Sequence, residues 1–268
     1  MRQSIESVIN QTYKNWELII IDDCSSDNTP EIAKEYANQD NRIKYYRNET
    51  NLKLPRGLNR GFSLSKGEYL TWTSDDNLYL PTAIEKMVNV LMLKTANFVF
   101  ASYEIIDENG KQIEKVLAKE GVQKRLVGSN CVGACFLYTR NAYNAIGEYD
   151  PELTLVEDFD YWQRVYAKYG AETIEEYLYQ YRWHESSLTS TMKKQIFFQN
   201  LKKMLIKNKG LFLKLDYEEK YYYYSALHKC YNNLEIHDPN AFRTLLYRVL
   251  YLVRTRLPMK LKRIIHKQ

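Results

Sequence analysis

Twice in its N-terminal third the chain runs through an apolar stretch and then stops at a pair of carboxylates. Leu18-Ile19-Ile20-Ile21 is followed by Asp22-Asp23, and Tyr69-Leu70-Thr71-Trp72-Thr73 by Ser74-Asp75-Asp76-Asn77. An uninterrupted apolar run suits a strand buried on both faces. A helix-like segment follows each acidic pair, from Pro30 and from Pro81. In an open α/β sheet, ligands gather outside the carboxyl ends of the strands, which places these acids at the rim of a cleft. Adjacent carboxylates repel unless a cation relieves them. A divalent metal with oxygen ligands does so, especially one that also carries a diphosphate. A lone Asp-Asp pair fits a solvated loop equally well, so the rest of the chain must decide.

The remaining pattern alternates between helix and strand. Residues 2–12 place Ile5, Val8 and Ile9 on one helical face. The loop Asp22 to Pro30 is rich in helix-capping residues and leads into a helix over Glu31 to Asn38. Ile43 to Tyr46 reads as a strand, Leu58 to Ser65 as a helix ended by Gly67, and Thr82 to Lys94 as a helix. Further strands are predicted at Phe98–Ile106, Gln112–Val116 (after an Asp107–Gly110 turn), Val132–Tyr138 and Glu176–Tyr181. Asn141–Ile146 forms a short helix, and a longer one opens at Leu155–Trp162, its first turn crowded with acids as the helix dipole favours. This βαβ spacing predicts an α/β fold whose sheet is mostly parallel and sandwiched by helices. After about residue 190 only helical, Tyr/Lys-rich stretches remain, so residues 1–190 and a helical extension over 191–268 are expected to form separate units.

Charge is unevenly spread. Residues 240–268 hold eight Lys/Arg and no Asp/Glu; removing those eight from the 38 basic residues leaves 30 against 33 acids, a net −3 for residues 1–239. An acidic body without a nucleic-acid-binding motif argues against a nucleic-acid partner. Leu245, Leu246, Val249, Leu250 and Val253 share one helical face in this basic tail, and residues 241–267 are expected to contact a membrane surface peripherally. A helix docked on the body would give the same pattern. No apolar run approaches the ~20 residues of a membrane span. Four cysteines without a signal peptide suggest reduced thiols and a cytoplasmic setting, and Cys131 and Cys135 have no histidine nearby to build a zinc site.

A third acidic pair, Glu157-Asp158, and a polar cluster of Arg182, His184, Ser186 and Ser187 complete a pattern whose order is specific. The chain resembles the family 2 glycosyltransferases of GT-A fold across residues 4–190. The matching stretches are Ser4 to Tyr13, Glu17 to Asp27, Gly67-Glu68-Tyr69-Leu70, Gly133-Ala134-Cys135-Phe136, Ile146 to Asp150, Glu157-Asp158 and Tyr181 to Ser187. Thr73-Ser74-Asp75-Asp76-Asn77 is most similar to the spore-coat polysaccharide type. The resemblance implies that Asp23 binds the uracil of a UDP-sugar donor, that Asp75 binds its ribose, and that Arg182 and Ser186 contact the donor. It further implies that Asp76 and His184 ligate Mg²⁺ or Mn²⁺ on the diphosphate, that Asp158 is the general base, and that Glu157 contacts the acceptor. The activity implied is inverting sugar transfer to a saccharide or lipid-linked acceptor in surface polysaccharide synthesis.

Such a family begins with an apolar strand and a short turn ahead of the first helix, and this sequence enters at Met1 directly on that helix. A gap or a borrowed element is therefore expected between the Leu18–Ile21 and Leu70–Trp72 strands, because an interior strand cannot be removed without leaving backbone groups unpaired. Two other readings compete. A sugar-phosphate nucleotidyltransferase would need a Gly-rich N-terminal phosphate loop with an arginine, which is absent from this sequence; a non-catalytic nucleotide-binding relative would keep the fold without the chemistry.

Overall fold

The computed structural model describes residues 1–93, 96–212 and 215–256. Its organising element is the strand Phe98–Ile106 (β5 in chain order), whose first five residues are fully buried. Alternation along β5 sends Phe98 and Phe100 to one face and Val99 and Ala101 to the other. On the first face they pack with Phe136 and Trp162, the Phe98 and Trp162 rings stacking with centroids 5.2 Å apart. On the second they meet Met87, Val88 and Leu91. Burying side chains of this size is worth roughly 1.5–3 kcal/mol each, so β5 is the axis about which the helices of both faces are fixed.

The elements preceding it are α1 (Arg2–Ile9), β1 (Leu18–Asp22), α2 (Thr29–Gln39), β2 (Ile43–Arg47), α3 (Leu54–Leu64), β3 (Tyr69–Leu70), β4 (Leu78–Tyr79) and α4 (Ala83–Leu93). After it come β6 (Gln112–Val116), a 3₁₀ turn over Val122–Val127, β7 (Phe136–Thr139), α5 (Arg140–Ile146), α6 (Glu157–Tyr169) and β8 (Glu172–Arg182). The chain continues as a single turn, α7 (Leu188–Thr191), then α8 (Lys194–Asn208), α9 (Tyr217–Asn233) and α10 (Ala241–Arg256). The α/β class and the flanking helices are as expected. The direction of the strands is a correction. The larger sheet runs β3-β7-β5-β8-β4, with β6 also on β5, and within it only β5–β8 is parallel. For β6 the cause is local: β5 turns back through Asp107–Gly110 into it, and direct returns of this kind give antiparallel pairs without a helical crossover. Asp107 closes that turn by accepting from the Asn109 and Lys111 amides, with Gly110 at φ +86°.

β1 and β2 form a separate parallel pair, with Leu18 opposite Ile43. Among the described residues no ladder joins β1 to β3. The two strands nevertheless begin side by side, because Glu17 accepts from the amides of Lys66 and Gly67, the latter at 2.8 Å. α8 and α9 contribute Leu201, Met204, Leu205, Tyr223 and Leu227 to the core cluster that holds Trp162. α9 lies so close to the loop after the 3₁₀ turn that a Cβ on Gly128 would stand 2.2 Å from the Tyr222 carbonyl oxygen. The helices after residue 190 thus share one core with the sheet.

Candidate active site

The acidic segment Thr71–Asn77 leaves the sheet after only two residues of β3, because its hydroxyls and indole find side-chain partners in place of a ladder. Thr71 donates to the Phe136 carbonyl (2.7 Å) and shares a bond with the Tyr79 hydroxyl. Trp72 Nε1 donates to the Tyr149 hydroxyl at 3.1 Å, and Thr73 shares a 2.6 Å bond with the Tyr179 hydroxyl. Ser4 of α1 donates to the Ser74 carbonyl. Tyr79 and Tyr179 are both buried and packed edge to face, 4.8 Å between centroids. The loop that presents Asp75 and Asp76 is therefore held on a rigid aromatic base.

Asp76 then meets the end of β8. Its Oδ2 lies 3.0 Å from His184 Nε2, and His184 Nδ1 lies 2.8 Å from Ser186 Oγ. The other oxygen, Asp76 Oδ1, is buried without a hydrogen-bond partner. A buried carboxylate oxygen left unpaired is costly unless something cationic completes it. The Asp76 carboxylate fits Mg²⁺ or Mn²⁺, hard ions that bind few protein ligands and fill the shell with water and phosphate oxygens; the His184 imidazole is a softer donor than either ion prefers. Among the described residues no cluster of three or more His, Cys, Asp or Glu could hold an ion unaided, so an ion here would depend on the diphosphate. Asp75 is exposed beside it.

Arg182, expected to contact the donor, is bonded within the chain through most of its guanidinium. Its Nε donates to the Asp76 carbonyl (3.1 Å), one terminal nitrogen to the carbonyls of Asp107 (3.0 Å) and Glu108 (2.9 Å), and the other to Gln3 Oε1 (2.9 Å). Four of its five N–H donors are thus spent on protein oxygens. Its own amide donates to Asn77 Oδ1 at 2.7 Å. Arg182 clamps the Asp76 loop to the β5–β6 turn and to α1.

Asp23 is likewise engaged. Oδ1 accepts from Asn48 Nδ2 (2.8 Å) and the Leu52 amide (2.7 Å), Oδ2 from the Lys53 amide (2.8 Å). It fastens the 48–53 loop beside β1. The neighbouring Asp22 is buried and accepts from the Ser25 amide, the Tyr45 hydroxyl and Arg47, each at 2.7 Å. Burial alone would raise its carboxyl, but these donors outweigh it and hold Asp22 below the usual carboxylate range.

Glu157 and Asp158 open α6 as the dipole favours. Asp158 is half-buried; Oδ2 accepts from Asn130 Nδ2 at 2.8 Å and Oδ1 from the Phe159 amide. Burial raises its carboxyl, with those two donors opposing. Glu157 is buried, with Oε2 unpaired. Burial, and then the Asp158 charge, push it up to about 7. Three of the four non-glycine residues at positive φ adjoin this set: Cys24 (68°) beside Asp23, Lys53 (70°) bonded to it, and Leu155 (72°) ahead of Glu157. Strain of this kind costs of order 1–3 kcal/mol each and gathers at functional sites.

Sequence reasoning missed Gln3, Asn48, Asn77 and Asn130, each of which holds a candidate group from a distant segment. The structure joins Asp76, Arg182, His184 and Ser186 into one bonded cluster. Asp158 with Asn130, and Asp23 with its loop, form two others.

This arrangement, acids at strand and helix ends around a helix-flanked mixed sheet, is that of a GT-A glycosyltransferase. The sequence profile described as "Glycosyl transferase family 2" matches residues 1–147, and the chain belongs to that family. An uncharacterized glycosyltransferase of Rickettsia typhi is 32% identical over 207 residues, covering 73% of this chain and 64% of its own. A Bacillus subtilis protein provisionally named a teichuronic acid biosynthesis glycosyltransferase is 24% identical, covering 71% of this chain and 76% of its own. Among solved structures, TarS 1–349 of S. aureus in complex with UDP-GlcNAc superposes with a TM-score of 0.68 over 86% of this chain and 68% of that one, at 15% identity. At that identity the likeness shows the fold. The chain spans 64% of the length of the Rickettsia typhi relative.

Proposed function

We propose that the chain transfers a sugar, with inversion, from a UDP-sugar to a saccharide or lipid-linked acceptor in surface polysaccharide synthesis, working at the cytosolic face of a membrane. The observation that carries this reading is the buried, unpartnered Asp76 Oδ1, on the loop carboxylate whose Oδ2 lies 3.0 Å from His184 Nε2. Asp76 and His184 would hold Mg²⁺ or Mn²⁺, which when bound neutralises charge on the departing diphosphate. Asp75, exposed next to them, is in reach of a ribose. Asp23 supports the base by fixing the 48–53 loop. Asp158 accepts the proton of the acceptor hydroxyl. As it does so, that oxygen bonds to the anomeric carbon and the bond to the diphosphate breaks, its electron pair leaving with UDP. A carboxyl raised by burial is the better base for that step. Residues 1–190 supply this chemistry, and α8, α9 and α10 form the helical extension.

The donor assignment draws support from the neighbour crystallised with UDP-GlcNAc, and the acceptor class from the relative named for teichuronic acid synthesis. Calorimetric titration of UDP with and without Mn²⁺ tests it. Mn²⁺-linked binding that Asp76→Asn abolishes is the expected result; equal UDP binding with and without metal would overturn the metal assignment.

A further inference from the structure

α10 packs on α9 through one side only. Tyr251 stacks on Tyr221 (4.5 Å between centroids), Tyr247 stacks on Tyr224 (5.3 Å), and Thr244 Oγ1 donates to the Tyr224 carbonyl. Thr244, Tyr247 and Tyr251 fall together on a helical wheel. Phe242, Leu245, Leu246, Val249 and Leu250 occupy an arc of about 140° on the opposite side. All five are exposed, Phe242 at 77% and Leu245 at 60%. Arg243 and Arg248, also exposed, lie at the two borders of that arc. No Asp or Glu follows Asp238, and Asp238 is buried against His228.

We propose that this face of α10 docks on an anionic lipid surface, with its apolar arc in the acyl boundary and its arginines at phosphate level. A flanked arc of this kind is the geometry of a helix lying in the plane of the interface. A second copy of the chain fits less well. A two-fold contact between identical faces would bring Arg243 and Arg248 against like charge, with no acid on the face to answer them. Nucleic acid would meet the arginines and leave five apolar side chains facing phosphate. No described helix is long and apolar enough to cross a membrane, so the contact is peripheral. It stands on α10 alone and does not depend on the transferase reading.

Co-sedimentation of the full chain with phosphatidylglycerol–phosphatidylcholine vesicles, against phosphatidylcholine alone, tests the proposal. Binding should require the anionic lipid and weaken steeply as salt rises. Phe242→Ser combined with Val249→Ser should reduce it tenfold or more, and Arg243→Gln or Arg248→Gln roughly five-fold each. These positions are exposed, so melting temperature and UDP binding should match the parent. As a second readout, Phe242→Trp should gain fluorescence quenched by brominated acyl chains. Equal binding to both vesicle types, undiminished binding of the serine variant, or an unquenched Trp at position 242 would overturn the proposal. So would a dimer in sedimentation velocity that the serine variant dissolves while vesicles leave the parent unbound.

Discussion

Asn130 Nδ2 donates to Asp158 Oδ2 at 2.8 Å across 28 residues of chain, and so one amide aims the candidate base. Asp158→Asn should keep donor binding and lower transfer by ~10²-fold or more, the usual range for a lost general base. Asn130→Ala should do less to the rate and move the acid limb of the pH–rate profile upward, because the hydrogen bond it removes favours the ionised carboxylate. Unchanged limbs would show that Asn130 has no hold on the base.

Asp76→Asn should eliminate the Mn²⁺ dependence of UDP binding in calorimetry. The group is part-exposed at the end of a loop, and the amide keeps its shape, so unfolding free energy should stay within about 0.5 kcal/mol of the parent. Mn²⁺-linked binding that survives the change would remove Asp76 from the metal site.

Arg182 distinguishes a clamp from a ligand. With its fork spread over the Asp76, Asp107 and Glu108 carbonyls, Arg182→Lys should destabilise the fold by about 0.5–1.5 kcal/mol, since two part-buried carbonyls and one exposed carbonyl lose a pre-organised donor. A normal melting curve with a raised KM for the donor would instead make the guanidinium a diphosphate ligand.

Those contacts mark where the sequence stopped being informative. The apolar run at Phe98–Ile106 announces a buried strand; the equally apolar Leu18–Ile21 is a strand too but only half-buried, because it pairs with β2 in a separate two-stranded sheet. β3 could not be sized, because Thr71 and Thr73 look like strand residues and are diverted to side-chain partners. Leu78–Tyr79 is too short to show a period, and it exists as a strand because β8 pairs with it. The bonds of Arg182 to the Asp76 and Glu108 carbonyls were hidden for the same reason: an arginine's partners come from distant segments, which no local pattern reveals. The last residues of the basic tail, Pro258 to Lys267 among them, lie outside the described residues.

Glu157 gives the pH dependence of stability a definite sign. Its ordinary value is 4.5, and burial lifts it to about 7 in the fold, so the native state binds this proton more tightly than the unfolded chain. The stability it contributes is complete below pH 4.5 and lost as pH rises through about 7. The whole interval is on the order of 3 kcal/mol. Glu157→Gln should therefore melt higher than the parent above neutrality and show a flatter profile across that window. A variant melting lower at every pH would mean that Glu157 is ionised and paired in the fold.

Among the described residues β1 pairs only with β2, and β3 only with β7, although Glu17 holds the starts of β1 and β3 together. β1 amides not bonded to β2 should therefore exchange with solvent faster than their ladder-bonded neighbours, a difference hydrogen exchange can read residue by residue. An apolar strand of about six residues and its turn, fused ahead of Met1, would meet whichever β1 amides and carbonyls the β2 ladder leaves free. Several ladder bonds at ~1 kcal/mol each, with added burial over the adjoining apolar surface, should raise the melting temperature and slow the exposed amides. UDP should then bind more tightly, because the added turn would lie beside the Asp23 loop. Unchanged melting and exchange in the fusion would mean that the open edge of β1 is already satisfied by its surroundings.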